Sequence, residues 1–222
     1  MKVTKRLACL HSHYSNIEYI EKAFSGYELE LVHFVDPGLM HRVSHHGDFH
    51  PSEAEKKVRE QLQWIASCDA EAILITCTNY IALLKEEQLD VSIPVIKIDE
   101  PFFEYICSND EPQMVLFTNP ATVKGTMDRL TQYAESQGKK LNAEVEVIED
   151  TFELMMQGKK EEYKQRVSSS LRTYLRETSN VISVAQLSMV DGAKQAEAET
   201  GKRIIQPLDT LTSAVLKQLN RN

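Results

Sequence analysis

Ala72-Ile73-Leu74-Ile75-Thr76-Cys77-Thr78-Asn79-Tyr80-Ile81-Ala82-Leu83-Leu84 is the stretch whose reading decides the fold. A continuous apolar run, closed by polar turn residues and followed at once by a helical pattern, reads as a strand buried on both faces, as in a parallel sheet. Working outward, the same strand-turn-helix unit recurs along the chain. Strands are predicted at Arg6–Leu10, Leu29–Val35, Ala72–Thr76, Val95–Ile98, Gln113–Phe117, Ala143–Ile148, Asn180–Val184 and Arg203–Ile205. Helices are predicted between them at Asn16–Phe24, Ser52–Ala66, Tyr80–Glu87, Phe102–Ser108, Pro120–Gln137, Lys159–Glu177, Met189–Glu199 and Leu208–Leu219. This alternation predicts an α/β fold of parallel sheets flanked by helices.

The two halves repeat. Leu10-His11-Ser12 recurs as Phe117-Thr118-Asn119, Ile75-Thr76-Cys77 as Val184-Ala185-Gln186, and Val95-Ile96 as Arg203-Ile204, at offsets of 107, 109 and 108 residues. Similar offsets in chain order point to two similar lobes, each a parallel sheet with helices. The polar stretch Ser108–Pro112 is the expected boundary, giving a first lobe over 1–111 and a second over 112–206, with a helix over 207–222 returning to the first. In parallel sheets, ligands bind beyond the carboxyl ends of the strands. The residues placed there are His11, Ser12, Asp36, Cys77, Thr78, Asn79, Asp99, Glu100, Thr118, Asn119, Asp150, Gln186 and Ser188.

The chain has 222 residues and a formal charge of −8, so it lacks the basic stripe that a phosphate-gripping nucleic-acid binder needs. With 42% hydrophobic residues it has enough apolar material for a core. No apolar run approaches the roughly 18 residues of a membrane span, and the start Met1-Lys2-Val3-Thr4-Lys5-Arg6 lacks a signal-peptide core. The expectation is a cytoplasmic protein with no nucleic-acid or membrane partner. Composition leaves room for a homo-oligomer. Cys9, Cys68, Cys77 and Cys107 form no C-x-x-C pair, so neither a zinc knuckle nor a dithiol motif is expected.

Cys77 stands where a strand turns into a helix. Free backbone N–H groups and the helix dipole there favour a thiolate, lowering its pKa from about 8.5 toward neutrality. Such a thiolate serves as nucleophile or general base. The position reads equally well as a small residue packed under a helix.

Taken with Val35-Asp36-Pro37-Gly38-Leu39-Met40 and Ile98-Asp99-Glu100-Pro101, the Ala72–Asn79 element resembles the aspartate/glutamate (Asp/Glu/hydantoin) racemase superfamily. The resemblance implies a cofactor-independent racemase or epimerase acting at the α-carbon of an amino acid or related small carboxylate. In that family two cysteines, one from each lobe, face the α-carbon of a substrate lying in a ligand cleft between the lobes, so the resemblance implies such a cleft here. One removes the α-proton and the other returns a proton on the opposite face. By resemblance Cys77 is the first of the pair. At the position of the second, in Val184-Ala185-Gln186-Leu187-Ser188-Met189, stands Gln186.

A glutamine amide only donates or accepts hydrogen bonds, so symmetrical two-thiol exchange is lost. Three outcomes follow. His11 could oppose Cys77 as a second acid/base. Cys77 could act alone, as in a one-thiol decarboxylase or cis–trans isomerase of a small dicarboxylate. The chain could also bind a carboxylate and turn nothing over. Carboxylate anchoring falls to Ser12, Thr78, Asn79, Thr118, Asn119 and Ser188, all in post-strand turns, each of which also reads as a helix cap. Asp36, Asp99 and Glu100 would repel a dianion unless they hold an amino group, and each also reads as a cap or turn acid.

All seven histidines, His11, His13, His33, His41, His45, His46 and His50, precede Pro51. The 41–45 and 46–50 spacings would suit a metal on a helix. However, Arg42–His50 contains glycine and no apolar stripe, so it is read as a loop able to close on a ligand and to titrate between roughly pH 6 and 7, with no metal. Trp64 and the pair Met155-Met156 are read as core or interface packing.

Overall fold

The computed structural model describes residues 4–45, 48–84 and 90–220. His46 and the predicted helix end at Glu87 lie outside them. In chain order the elements are β1 (Lys5–His11), α1 (Asn16–Phe24), β2 (Leu29–Val35), α2 (Pro37–His45), α3 (Pro51–Ala66), β3 (Ala72–Ile75), α4 (Thr78–Leu83), β4 (Val95–Lys97) and α5 (Glu100–Ser108). They continue as β5 (Gln113–Phe117), α6 (Pro120–Ser136), β6 (Ala143–Val147), α7 (Thr151–Met156), α8 (Lys160–Glu177), β7 (Val181–Val184), a 3-10 turn (Leu187–Met189), α9 (Val190–Thr200) and α10 (Pro207–Leu219). None of the described helices is long and apolar enough to cross a membrane.

The chain divides into two compact units, Met1–Glu100 with Leu211–Asn222, and Pro101–Thr210. The first holds a parallel sheet of order β2-β1-β3-β4, the second a parallel sheet of order β6-β5-β7. The order β6-β5-β7 matches β2-β1-β3, to which the first sheet adds β4 at its edge, in keeping with the repeat. The predicted strand at Arg203–Ile205 reduces to a single bridge, Ser183 to Ile205, beside β7. The division follows Glu100 rather than Ser108–Pro112, because α5 buries Phe102, Phe103 and Ile106 against Val115, Phe117, Leu130 and Ala185 of the second unit.

Central strands carry continuous apolar runs because both faces are covered: Leu7–Leu10 of β1, Ala72–Ile75 of β3 and all of β5, including Gln113, are buried. The edge strand β6 alternates instead, exposing Glu144 and Glu146, charges that discourage pairing with another chain. Helices pack through stripes three or four residues apart, such as Val58, Leu62 and Ile65 of α3 and Tyr163, Val167, Leu171 and Leu175 of α8. In the first unit, Leu211, Val215 and Leu219 of α10 are buried, and Lys5 Nζ donates to the Leu219 carbonyl.

Three expectations are corrected. The Arg42–His50 loop is helical up to His45: Asp36 caps α2, its Oδ1 accepting from Gly38 N at 2.9 Å and Leu39 N at 3.2 Å, and Pro37 opens the helix. His41 and His45 stack there with ring centroids 4.5 Å apart, while Arg42 lies over Phe49 and His50 starts α3, its N–H donating to Glu53 Oε2 at 3.0 Å. The short helix α7 occupies a stretch for which no element was predicted. Trp64 and Met156 are exposed, at 67% and 71%, so neither packs in the core, whereas Met155 packs against it.

Gly192 sets the approach of α9 to α8. A β-carbon there would lie 2.7 Å from Val167 Cγ1 and 2.9 Å from Val167 Cβ, inside van der Waals contact. Replacing glycine by alanine within a helix ordinarily stabilises by about 1 kcal/mol. Overpacking a close-packed core costs about 1–3 kcal/mol and wins here. Gly192→Ala is therefore expected to lower the midpoint of denaturant unfolding, and a raised midpoint would show that the two helices part freely.

Candidate functional site

Strand register decides which post-strand residues meet. In the first unit Leu10 of β1 is level with Ile75 of β3, and Thr76 N continues the ladder to Leu10 O at 3.0 Å. Two residues on, Ser12 comes beside Cys77, and its hydroxyl hydrogen-bonds the sulfur. In the second unit Leu116 of β5 is level with Val184 of β7, which brings Thr118 beside Gln186. Each sheet therefore presents one constellation at the carboxyl end of its central strands.

In the first, Cys77 is the cap residue of α4, and the backbone of Asn79 and Tyr80 points toward its sulfur without a fully formed cap hydrogen bond. The expected lowering of its pKa is corrected. Cys77 is only 6% exposed, and burial pushes the thiol above its usual range, outweighing the opposing hydrogen bonds from Ser12 and the backbone of Tyr80 and Asn79. Thr78 is half-buried and Asn79 exposed in the first turn of α4. Tyr80, which sequence reasoning passed over, is fully buried and donates to the Asp36 carbonyl. Burial first, then the Asp36 and Cys77 charges, raise its hydroxyl. Asp36 is a structural residue, one carboxylate oxygen capping α2 and the other accepting from Gln61. Glu100 pairs with the buried Lys97 at 3.0 Å, and Asp99 is buried. Asp150, in the second unit, caps α7 in the left-handed conformation and reaches Arg166 at 3.5 Å.

His11 is enclosed by its own unit. It is 0% exposed, with Nδ1 2.8 Å from Thr76 Oγ1 and Nε2 2.9 Å from His33 Nδ1. His33 Nε2 in turn lies 2.9 Å from Glu21 Oε1. Desolvation, helped by His33, lowers the His11 pKa to about 4. The unfolded chain then takes up a proton that the folded chain refuses, so stability is full above about pH 6.5 and declines as pH falls toward about 4, levelling below that. His11→Phe is expected to flatten this decline when unfolding is followed by denaturant titration in chelating buffer, and an unchanged slope would assign it to other groups. Among the described residues, Cys9, His11 and His33 form a group whose potential metal-ligand atoms lie within 4.8 Å of one another.

In the second constellation Gln186 is fixed by its own amide. Its Oε1 accepts from Thr118 N at 2.7 Å, Thr118 Oγ1 at 2.8 Å and Asn119 N at 3.1 Å, and its Nε2 donates to Thr122 Oγ1 at 3.3 Å. Asn119 caps α6, accepting from Ala121 N at 3.0 Å. The Thr118 hydroxyl lies 2.9 Å from Tyr163 OH, which lies 2.8 Å from Ser188 Oγ. Tyr163 comes from α8, and no local motif marks it. Three donors converging on one carbonyl oxygen form a cradle of the kind that binds a carboxylate oxygen, filled here by the protein itself.

No known family model matches the chain, and no curated protein matches it in sequence. Solved structures do match. The aspartate racemase of Picrophilus torridus superposes with a TM-score of 0.73 at 11% identity, over 97% of this chain and 94% of that one. The glutamate racemase of Francisella tularensis in complex with D-glutamate gives 0.69 at 13% identity, over 99% and 82%. The allantoin racemase of Klebsiella pneumoniae gives 0.69 at 17% identity, over 97% and 88%. With two parallel sheets of matching strand order, the chain has the fold that these aspartate, glutamate and allantoin racemases share.

Proposed function

We propose that this chain is a cofactor-independent enzyme of racemase-like fold that moves a proton at the α-carbon of an amino acid or related small carboxylate, with Cys77 as its one acid/base thiol. The racemase fold supports the reaction class. The observation that carries the one-thiol reading is Gln186: its amide is held by four hydrogen bonds and trades no proton near neutral pH, and His11, the other named partner, is buried with both ring nitrogens bonded.

The chemistry follows from having one proton carrier. Cys77, once ionised, takes the α-hydrogen as a proton. The electron pair left on carbon spreads into the carboxylate as an enediolate, the new S–H exchanges its proton with solvent, and the same sulfur then returns a proton, a deuteron in D₂O, to the face the first one left. The Ser12 hydroxyl holds the sulfur during both transfers. The same geometry suits a thiol that delivers a proton after loss of carbon dioxide. A second reading, carboxylate binding without turnover, is favoured by the burial that holds Cys77 as a neutral thiol.

A panel of amino and dicarboxylic acids in D₂O separates these readings by proton NMR and optical rotation. The expected outcome is α-deuterium incorporation with rotation retained, or a decarboxylated product of one configuration. Rotation lost at the rate of exchange points to a second acid/base group. Thermal stabilisation by a carboxylate with no exchange establishes the binding reading instead.

A further inference from the structure

Cys9 and His11 lie two residues apart on β1, so their side chains emerge on the same face of the sheet. His33 of β2 is level with Cys9 in the parallel register, which brings its imidazole to that face too. The outcome is a thiol and two imidazoles converging within 4.8 Å on the face of β1 that also carries the buried Leu7.

Each imidazole is aimed. His11 Nδ1 is engaged by Thr76 Oγ1 at 2.8 Å, leaving Nε2 pointing into the group, and His33 Nε2 is engaged by Glu21 Oε1 at 2.9 Å, leaving Nδ1 pointing in. Outer oxygens that fix one ring nitrogen and turn the other inward, the carboxylate of Glu21 above all, are the second shell that metal-binding histidines carry. The two inner nitrogens face each other at 2.9 Å, sharing a proton in the metal-free chain. The Cys9 sulfur makes only a long contact, 3.9 Å, with the Leu7 carbonyl.

We propose that Cys9, His11 and His33 are the ligands of a borderline-soft divalent cation, Zn²⁺ being the ion of that class. One sulfur and two imidazole nitrogens match its preferences. Around a tetrahedral Zn²⁺, with bonds of about 2.0–2.3 Å, donor atoms stand roughly 3.3–3.7 Å apart, so the imidazole pair opens by a few tenths of an ångström and the sulfur closes in. The ion takes the place of the shared proton, which moves to His33 Nε2 facing Glu21, and of the Cys9 thiol proton, which is released to solvent. Cys9 and His11 are fully buried, but the His33 side chain is 15% exposed and Glu21 is half in solvent, which gives the ion its entry and leaves the fourth position to water. The site is separate from Cys77 and stands or falls independently of its chemistry.

Co²⁺ is the spectroscopic probe. The full-length, chelator-treated chain, titrated with Co²⁺ in its native state and also refolded with it, is expected to take up one ion per chain, with a near-ultraviolet thiolate charge-transfer band and the strong visible bands of four-coordinate Co²⁺. Zn²⁺ should displace it and raise Tm. Cys9→Ala should remove the charge-transfer band, and His33→Gln should weaken binding at least 10-fold, while Cys68→Ser and Cys77→Ser leave the spectrum unchanged. If Cys9→Ala does not fold, His33→Gln carries the test. Absence of uptake by both routes, a spectrum that survives Cys9→Ala, or one lost with Cys68 or Cys77 overturns the proposal.

Discussion

Replacing Cys77 by serine is expected to lower turnover of the α-substituted carboxylate by about 10³-fold or more, while Tm stays close to that of the unchanged chain. Positioned general acid–base groups contribute roughly 10²–10⁴-fold, and a serine hydroxyl is far too weak an acid to replace a thiol. With no second thiol in partnership, nothing remains to sustain residual exchange. Serine is close in size, and Ser12 still meets it, so the fold tolerates the change. Because burial raises Cys77 above the usual thiol range, the rate in the unchanged chain should climb as pH rises through neutrality and beyond. Steady-state kinetics across pH, beside a melting curve for each variant, checks both points. A rate that is flat above pH 7, or intact in Cys77→Ser, would place the chemistry elsewhere.

Gln186→Leu is expected to destabilise the chain by about 3 kcal/mol, read as a lower midpoint of denaturant unfolding. The substitution removes the acceptor shared by Thr118 N, Thr118 Oγ1 and Asn119 N. A buried donor left without a partner costs about 1–3 kcal/mol. Three such losses would sum to more, but Gln186 is half-buried, so water reaches part of the cradle and the lower part of the range applies. Gln186→Glu separates the lost acceptor from the changed shape. It keeps an oxygen in place, its charge suits the start of α6, and it should stay within about 1 kcal/mol of the original at neutral pH. If leucine proves harmless, the cradle is not held by the amide. If glutamate is as damaging as leucine, shape rather than hydrogen bonding is what matters there.

Much of the fold was legible in the sequence because central parallel strands are covered on both faces. Ala72–Ile75 and Gln113–Phe117 read as strands for that reason, and Val58, Leu62 and Ile65 marked α3 by their spacing. The helix α2 escaped because, among its residues of described burial, Leu39 alone is buried and no stripe forms, although Asp36-Pro37 carried a readable start signal. Arg203–Ile205 looked like a strand by composition but makes only one bridge, a matter of tertiary pairing. At the site, the position of Cys77 was visible and its burial was not, since what covers a side chain comes from elsewhere in the chain. The same holds for His33, which joins His11 from 22 residues away, and for Tyr163, which reaches Thr118 from 45. Cys9-x-His11 was present from the start, but only the register of β1 with β2 supplies the third member of that group.

The most direct measurement follows hydrogen itself: α-deuterium content and configuration of the recovered carboxylate after incubation in D₂O, for the unchanged chain and Cys77→Ser side by side. The expected result is deuterium at the α-carbon with configuration kept, or a single-configuration decarboxylated product, and neither with the serine variant. Scrambled configuration, or equal deuterium from both proteins, would contradict a lone thiol at Cys77 as the carrier of the proton.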